Sequence, residues 1–338
     1  MIQPPVALDA MVDTLKAAAE SSRLRILLLL NQGDLTVTDF TEILGQSQPR
    51  VSRHLKLLME AGLIGRYQEG SWAYFRLSDS GGAREFVAGI AARLRDDDVT
   101  VERDREKLVA VKARRRERAA GYFRANAERW DQIRSLHAPD RAVETALKRI
   151  VGRRPFQSML DLGTGTGRIL EILAPLYRRG VGVDSSREML AVARANLDNA
   201  GVSNALVRQG DIYAPPVERE SFDLVTIHQV LHYLDDPAGA IREAARALRP
   251  SGRLIIVDFA PHALEFLREE HAHLRLGFSD EQIGEWMEEA GLEVGETVEC
   301  EPGGGDGRLT VKLWTGRDPR LLIADPEQTD RRTETETA

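Results

Sequence analysis

The sequence predicts two joined folds. One is a mainly α-helical N-terminal region closed by a β-hairpin. The other is a C-terminal α/β region with a doubly wound, mostly parallel sheet. Three observations predict them. "TVTDFTEILG" (36–45) and "SQPRVSRHLKLLMEAG" (47–62) are amphipathic stretches separated by a very short turn. "LIGRYQEGSWAYFRLS" (63–78) alternates apolar and polar residues about "EG". From residue 121 short apolar runs alternate with helical stretches.

Apolar residues at helical spacing place helices over 8–20 and 21–31. In the third helix Thr36 is a plausible N-cap with Asp39 at N3, and Gly45 a C-cap. Ser47 can cap the fourth, Pro49 suits its first turn and Gly62 stops it. Val51, Leu55 and Leu58 fall on its inner face. After the hairpin, 80–95 returns to a helix, so residues 1–95 read as one domain. Residues 96–120 are charge-dense and read as a solvated helix or a connector. Its run "KARRRER" could touch phosphates, although an exposed helix face is the plainer reading.

The second domain, 121–316, carries six apolar runs: "SMLDLG" (158–163), "GVGVDS" (180–185), "ALVRQGD" (205–211), "FDLVTIHQV" (222–230), "GRLIIVDF" (252–259) and "LTVKLWTG" (309–316). Strands alternating with helices predict the doubly wound sheet. "EPGGGDGR" (301–308) is a loop or hairpin tip. The polar tail, 317–338, is expected to be disordered.

The 338 residues suit two domains with connectors. Apolar content of 42% and charged content of 29% fit a soluble protein. No apolar run reaches membrane-spanning length, so no membrane partner is expected, and the N-terminus lacks a signal-peptide pattern. A single cysteine, Cys300, excludes an internal disulfide and a multi-cysteine zinc site. A cytoplasmic location is expected.

The net charge of −7 argues against a uniformly basic nucleic-acid binder. Residues 47–76 invert it, with five Arg or Lys against two acids. A helix-turn-helix followed by a hairpin is a winged-helix layout. Gln46, Ser47, Gln48, Arg50, Ser52, Arg53, His54 and Lys56 are its candidate DNA contacts, through base edges and phosphates. Arg66 and Arg76 flank the hairpin and are placed to grip backbone. The alternative is an interaction module with a solvated basic face. Over about residues 8–95 the sequence resembles the ArsR-type winged-helix repressors, most specifically in "SQPRVSRHLKLLMEAGLI". The resemblance implies a homodimer on a pseudo-palindromic double-stranded DNA operator. It does not carry over metal sensing. Thr36 and Thr38 stand where many relatives carry cysteines, and 79–95 holds Asp79 and Glu85 but no histidine.

In "MLDLGTGTGR" (159–168) an acid precedes a Gly-x-Gly-x-Gly turn straight after a strand. Gly163, Gly165 and Gly167 allow close backbone approach to a ligand. Asp161 is a poor neighbour for a pyrophosphate and a good one for a cation such as the ammonium of S-adenosylmethionine (SAM). Asp184, 23 residues on at the end of the next strand, suits two ribose hydroxyls. Ser185 and Met189 follow it as candidate cofactor contacts. Asp211 is placed to accept from an adenine amino group, with Ile212 against the ring. The series, continued by "FDLVTIHQVLHYL" and "ALRPSGRLIIVDF", resembles the class I SAM-dependent methyltransferases over about 121–316, nearest the ubiquinone-biosynthesis group. By the same resemblance "YFRANAERWDQIRSLH" (122–137) is similar to a lid helix, which implies that Tyr122 and Trp130 cover the cofactor.

For catalysis the candidates are His228, His232 and Asp258, with His262 nearby. Alternatively, His228 packs near the cofactor's methionine part, where it also counts as a cofactor contact, and His232 caps a helix. "HAH" (271–273) lacks a carboxylate-histidine motif, so no metal site is expected. An arsenic methyltransferase is disfavoured by the missing cysteines. A base methyltransferase is disfavoured by "IHQV", where an "NPPY"-like tetrad would stand. Two readings remain open. One is a transcriptional regulator that senses SAM or S-adenosylhomocysteine (SAH), which the resemblance links to methionine-cycle genes. The other is an active methyltransferase, with a small-molecule acceptor, that also binds DNA.

Overall fold

The computed structural model describes residues 7–69, 72–78, 82–95, 97–127, 140–300 and 309–321. Contacts divide the chain into two compact units. The first comprises 1–122 together with 232–236 and 261–276; the second comprises 123–231, 237–260 and 277–338. A contiguous domain over 121–316 is therefore not what the contacts delimit, because two of its loops group with the N-terminal unit.

In the first unit α1 (Leu8–Ala18) and α2 (Ser21–Leu30) lead into β1 (Leu35–Thr36) and α3 (Val37–Leu44). The α3 cap closes as the sequence predicts. Thr36 Oγ1 accepts from the Asp39 N–H, and Asp39 accepts from the Thr36 N–H at 2.7 Å. Gly45 ends the helix at a φ of 67°. Next comes α4 (Gln48–Glu60), with Pro49 in its first turn. Ser47 sits at its N-cap position, but its side chain makes no capping bond, which corrects the expectation. The hairpin is β2 (Ile64–Glu69) against β3 (Trp72–Leu77), with Tyr67 opposite Tyr74. β1 adds a third strand by pairing Leu35 with Phe75. α5 (Ala83–Ala91) follows. Ile26, Leu27, Phe40, Ile43, Val51, Leu55, Leu58, Phe75 and Val87 form the core.

The charged segment is a helix, α6 (Val99–Asn126), and it does more than connect. Leu108 and Val111 belong to the N-terminal core. Buried Asp104, one turn earlier on the same face, takes a two-pronged hydrogen bond from Arg25 at 2.6 and 2.7 Å. Lys107 donates to the Ile43 carbonyl at 3.0 Å and Lys112 to that of Gln32 at 2.8 Å. Arg114 pairs with Glu42. The segment reads as solvated because only every third or fourth residue faces inward.

The second unit holds α7 (Asp140–Val151), β4 (Phe156–Leu162), α8 (Arg168–Leu173), β5 (Tyr177–Asp184), α9 (Arg187–Asn199), β6 (Ala205–Gln209) and β7 (Phe222–His228). These are followed by α10 (Pro237–Ala247), β8 (Leu248–Phe259), α11 (Phe266–Glu270, in the first unit), α12 (Asp280–Glu289), β9 (Glu293–Cys300) and β10 (Val311–Arg317). The seven strands run β6-β5-β4-β7-β8-β10-β9. β4 to β8 are parallel, and β10 enters antiparallel between β8 and β9. The chain winds outward from β4 to β6, then returns to β7 on the other side. That reversal leaves a topological switch point at the C-terminal ends of β4 and β7, where open α/β sheets bind ligands. Leu160, Leu162, Val183, Val225, Ile227, Ile256 and Trp314 pack the sheet. No helix among the described residues is long and apolar enough to cross a membrane.

The Arg25–Asp104 pair generates a prediction. Removing one member of a buried pair strands the other charge, so Asp104→Ala should lower unfolding free energy by about 3 kcal/mol. Adding Arg25→Met should recover most of that loss. Denaturant unfolding of the three proteins checks both outcomes.

Candidate functional site

The amphipathic spacing of α4 determines its outer face. With Val51, Leu55 and Leu58 buried, Ser47, Gln48, Arg50, Ser52, Arg53 and Lys56 stand away from the core. Two predicted contacts sit elsewhere. Gln46 Nε2 donates to Ser22 Oγ at 2.9 Å. His54 is largely buried, 3.6 Å from the carboxylate of Glu20, which accepts from the Arg23 N–H at the start of α2. Burial holds the His54 pKa down, against the pull of Glu20. The Gln46 bond ties the turn before α4 to α2, and His54 packs beside the start of α2. On the hairpin Arg66 donates to Gln68 at 3.0 Å.

Arg76 lies 5.7 Å over the Tyr67 ring, at one end of a ladder. Tyr67 stacks on Tyr74 with ring centroids 5.6 Å apart, and the Arg275 guanidinium lies 4.6 Å over Tyr74. Arg275 is 5% exposed. It donates to the Tyr67 hydroxyl at 2.5 Å and the Asp235 carbonyl at 3.2 Å, with Asp34 at 3.9 Å. Tyr67 in turn donates to Asp34 at 2.6 Å, and Tyr74 to the Leu274 carbonyl at 3.2 Å. Sequence reasoning missed this ladder because its members lie in four distant stretches of chain, at 34, 67–76, 235 and 274–275.

In the second unit the turn after β4 uses its glycines. Gly163, Gly165 and Gly167 have φ of 72°, 51° and 80°. A Cβ at 163 would come within 2.4 Å of Val230, and one at 167 within 3.2 Å of Ala193 on α9. Asp184, at the end of β5, reaches back to this turn. One oxygen accepts from the Gly165 N–H at 2.9 Å and the other from the Ser186 N–H at 2.8 Å. Burial raises its pKa, and those backbone donors act the other way. Ser186 caps α9 by accepting from the N–H of buried Met189, and Ser185 is exposed. Asp211 is exposed just past β6 and accepts from the Tyr213 N–H at 3.0 Å; Ile212 is half-buried.

Asp161 is 1% exposed near the end of β4. One oxygen accepts from the Thr226 hydroxyl at 2.6 Å. The other oxygen is buried without an aligned donor, as is the Thr164 hydroxyl in the turn. Burial pushes the Asp161 pKa up to about 6, with the Thr226 and Thr164 hydroxyls acting downward. A sealed carboxylate with one oxygen lacking an aligned donor is chemically suited to a cationic ligand group.

The catalytic candidates divide between the units. His228 ends β7, and Asp258 is buried in β8, where it accepts from the Phe259 N–H at 2.8 Å. His232 lies in the first unit, 2% exposed. Its ring is 4.1 Å from Tyr233 and 4.2 Å from His273, and its carbonyl accepts from the Leu274 and Arg275 N–H groups. His262 is also in the first unit. The Tyr122 hydroxyl lies 2.6 Å from His271 Nδ1, within that unit. Trp130 and Asp79 fall outside the described residues. Among the described residues no three His, Cys, Asp or Glu side chains gather to hold a metal.

Asp161 generates a signed prediction. Its folded pKa lies above its unfolded value, so ionisation destabilises the fold as pH rises from about 4 to about 6, and the loss persists above. Asp161→Asn should therefore stabilise the unliganded protein by about 2 kcal/mol at pH 8, with the gain vanishing near pH 4. Thermal unfolding at the two pH values checks it.

Two regions of the chain match known families. Residues 20–65 match the family model of bacterial regulatory proteins of the arsR family, and 160–256 that of a methyltransferase domain. The arsenical resistance operon repressor of Escherichia coli is 46% identical over 68 residues, which cover 20% of this chain and 58% of the repressor. A ubiquinone biosynthesis O-methyltransferase of Pseudomonas aeruginosa is 28% identical over 195 residues, covering 52% of this chain and 83% of the enzyme. The chain spans less than half the length of the first curated relatives it matches. A Haloferax volcanii methyltransferase solved with the Trm112 methyltransferase activator shares the fold, with a TM-score of 0.50 and 24% identity over 59% of this chain and 98% of that one. The chain carries an ArsR-type winged helix-turn-helix region and a Rossmann-like methyltransferase fold on one polypeptide.

Proposed function

We propose that the protein is a transcriptional regulator whose methyltransferase-fold unit binds SAM or SAH as an effector. One observation carries the reading. The loops that follow β7 and β8 are built into the DNA-reading unit, where Arg275 anchors the Tyr67–Tyr74 hairpin that also carries Arg76. A ligand that biases those strand ends thereby biases the hairpin. In this reading Asp161 takes the ligand's ammonium, Asp184 its ribose, and Asp211 with Ile212 its adenine. The outer face of α4 enters the DNA major groove of a pseudo-palindromic operator. The exposed row Leu8, Met11 and Leu15 on α1 supports a homodimer. The regulated genes serve the methionine and SAM cycle.

The test is fluorescence anisotropy on DNA from the protein's own upstream region. SAH should change operator affinity by at least about 5-fold. Arg275→Met should bind SAH normally yet abolish that change. An operator affinity that ignores SAH in the wild type would sink the reading. Arg50→Ala with Arg53→Ala should flatten the dependence of log affinity on log salt by about 2, one for each phosphate no longer neutralised.

A second reading, methyl transfer to a small-molecule acceptor, is favoured by the likeness to an O-methyltransferase over 83% of that enzyme's length. His228 and Asp258 are then the acceptor-side candidates. A labelled methyl group leaving SAM in a cell extract would establish it.

A further inference from the structure

Gln229 follows the last residue of β7 and carries two unfavourable features at once. Its backbone is left-handed, at a φ of 53°, where residues with side chains are rarely found. Its side chain is 5% exposed, and the amide Nε2 is buried with no hydrogen-bond partner. An unpaired buried donor destabilises a fold, and native structures seldom keep one. The backbone is over-determined here. The Gln229 N–H donates to the Val257 carbonyl at 2.7 Å, and Val230 packs against Gly163 so closely that no Cβ fits there.

The place of this donor gives it meaning. Thr226 is paired with Asp161 across β7 and β4. Gln229 follows the C-terminal end of β7, and its neighbour Val230 lies against Gly163 in the turn after β4. Among the described residues, Asp161 Oδ2, Thr164 Oγ1 and Gln229 Nε2 are buried polar atoms without aligned partners on the segments that follow β4 and β7 or end β4. One is an anionic acceptor and another a neutral donor. An α-amino acid end carries the complement of both, an ammonium and a carboxylate. We infer that Gln229 is a ligand-recognising residue whose Nε2 donates to a carboxylate oxygen of the bound ligand, opposite in sense to Asp161. This rests on the reading of the second unit as a pocket for SAM or SAH. It adds a residue that discriminates ligands with an amino acid end from those without one.

Calorimetry on the full chain tests it with two probes, SAH and 5′-methylthioadenosine, which keeps the nucleoside thioether and lacks the amino acid end. Gln229→Leu should weaken SAH on the order of 10-fold and leave methylthioadenosine unchanged. Gln229→Glu should weaken SAH further, since it sets a carboxylate against a carboxylate. Unliganded Gln229→Leu should melt no lower than wild type, because the change removes an unpaired donor. Equal binding of SAH by wild type and Gln229→Leu overturns the inference and points the donor at the methyl acceptor instead. Equal weakening of both probes also overturns it, as a merely structural role would produce. If the wild type binds neither probe, the pocket reading itself fails, which the wild-type titration alone reveals.

Discussion

A buried guanidinium cannot be left partly satisfied, and the first unit is arranged around that constraint at Arg275. Its charge is spread over the Tyr74 ring, the Tyr67 hydroxyl, the Asp235 carbonyl and nearby Asp34. A desolvated cation–π contact contributes about 2 kcal/mol, and only if the cation is held over the face of the ring. The hairpin register supplies this by placing Tyr67 directly opposite Tyr74. Asp34, immediately before β1, fixes the Tyr67 hydroxyl from the other side. The hairpin, the β1 turn and the loops 232–236 and 261–276 therefore share one electrostatic requirement. None of them can shift without exposing or stranding the charge.

The second unit meets the opposite condition. At the switch point Asp161, Thr164 and Gln229 are buried with polar atoms left bare, and Gln229 adds left-handed backbone. Such a site is less stable than an apolar one of the same shape. Its persistence is intelligible if a ligand completes it, because preorganised polar groups then need no rearrangement on binding. Asp184 differs, since two backbone N–H groups already hold its oxygens in place. Its remaining lone pairs are fixed beside the glycine turn without a search over rotamers.

Local signals made much of this legible in the sequence. The Thr36–Asp39 box, the α4 stripe of Val51, Leu55 and Leu58, and the turn at Gly163, Gly165 and Gly167 all lie within a few residues. So does the strand preceding each of Asp161 and Asp184. What escaped depends on distant partners. Asp104 reads as one more surface acid, and only Arg25, 79 residues away, makes it part of the core. Gln46 precedes α4 and is turned inward by Ser22, while His54 lies on the helix flank and is buried beside Glu20. β1 is two residues long, and β9 is a polar edge strand whose exposure removes the alternation that marks a strand. Gln229 is indistinguishable in sequence from any polar residue at a strand end, because an absent partner is a three-dimensional fact.

Effector control requires a ligand to distinguish two states of the same structure, since equal affinity for both shifts nothing. The chain supplies a short covalent route for such a distinction. Only Val230 and Leu231 separate Gln229 from His232, whose carbonyl accepts from the N–H groups of Leu274 and Arg275. Leu231 is fully buried, and Val230 is pressed against Gly163. A ligand that completes the bare donor of Gln229 would alter the stability of this left-handed segment. The carbonyl holding the Arg275 backbone lies three residues on. Coupling of this kind needs no large motion, because a buried cation tolerates few arrangements and a small bias between two of them suffices.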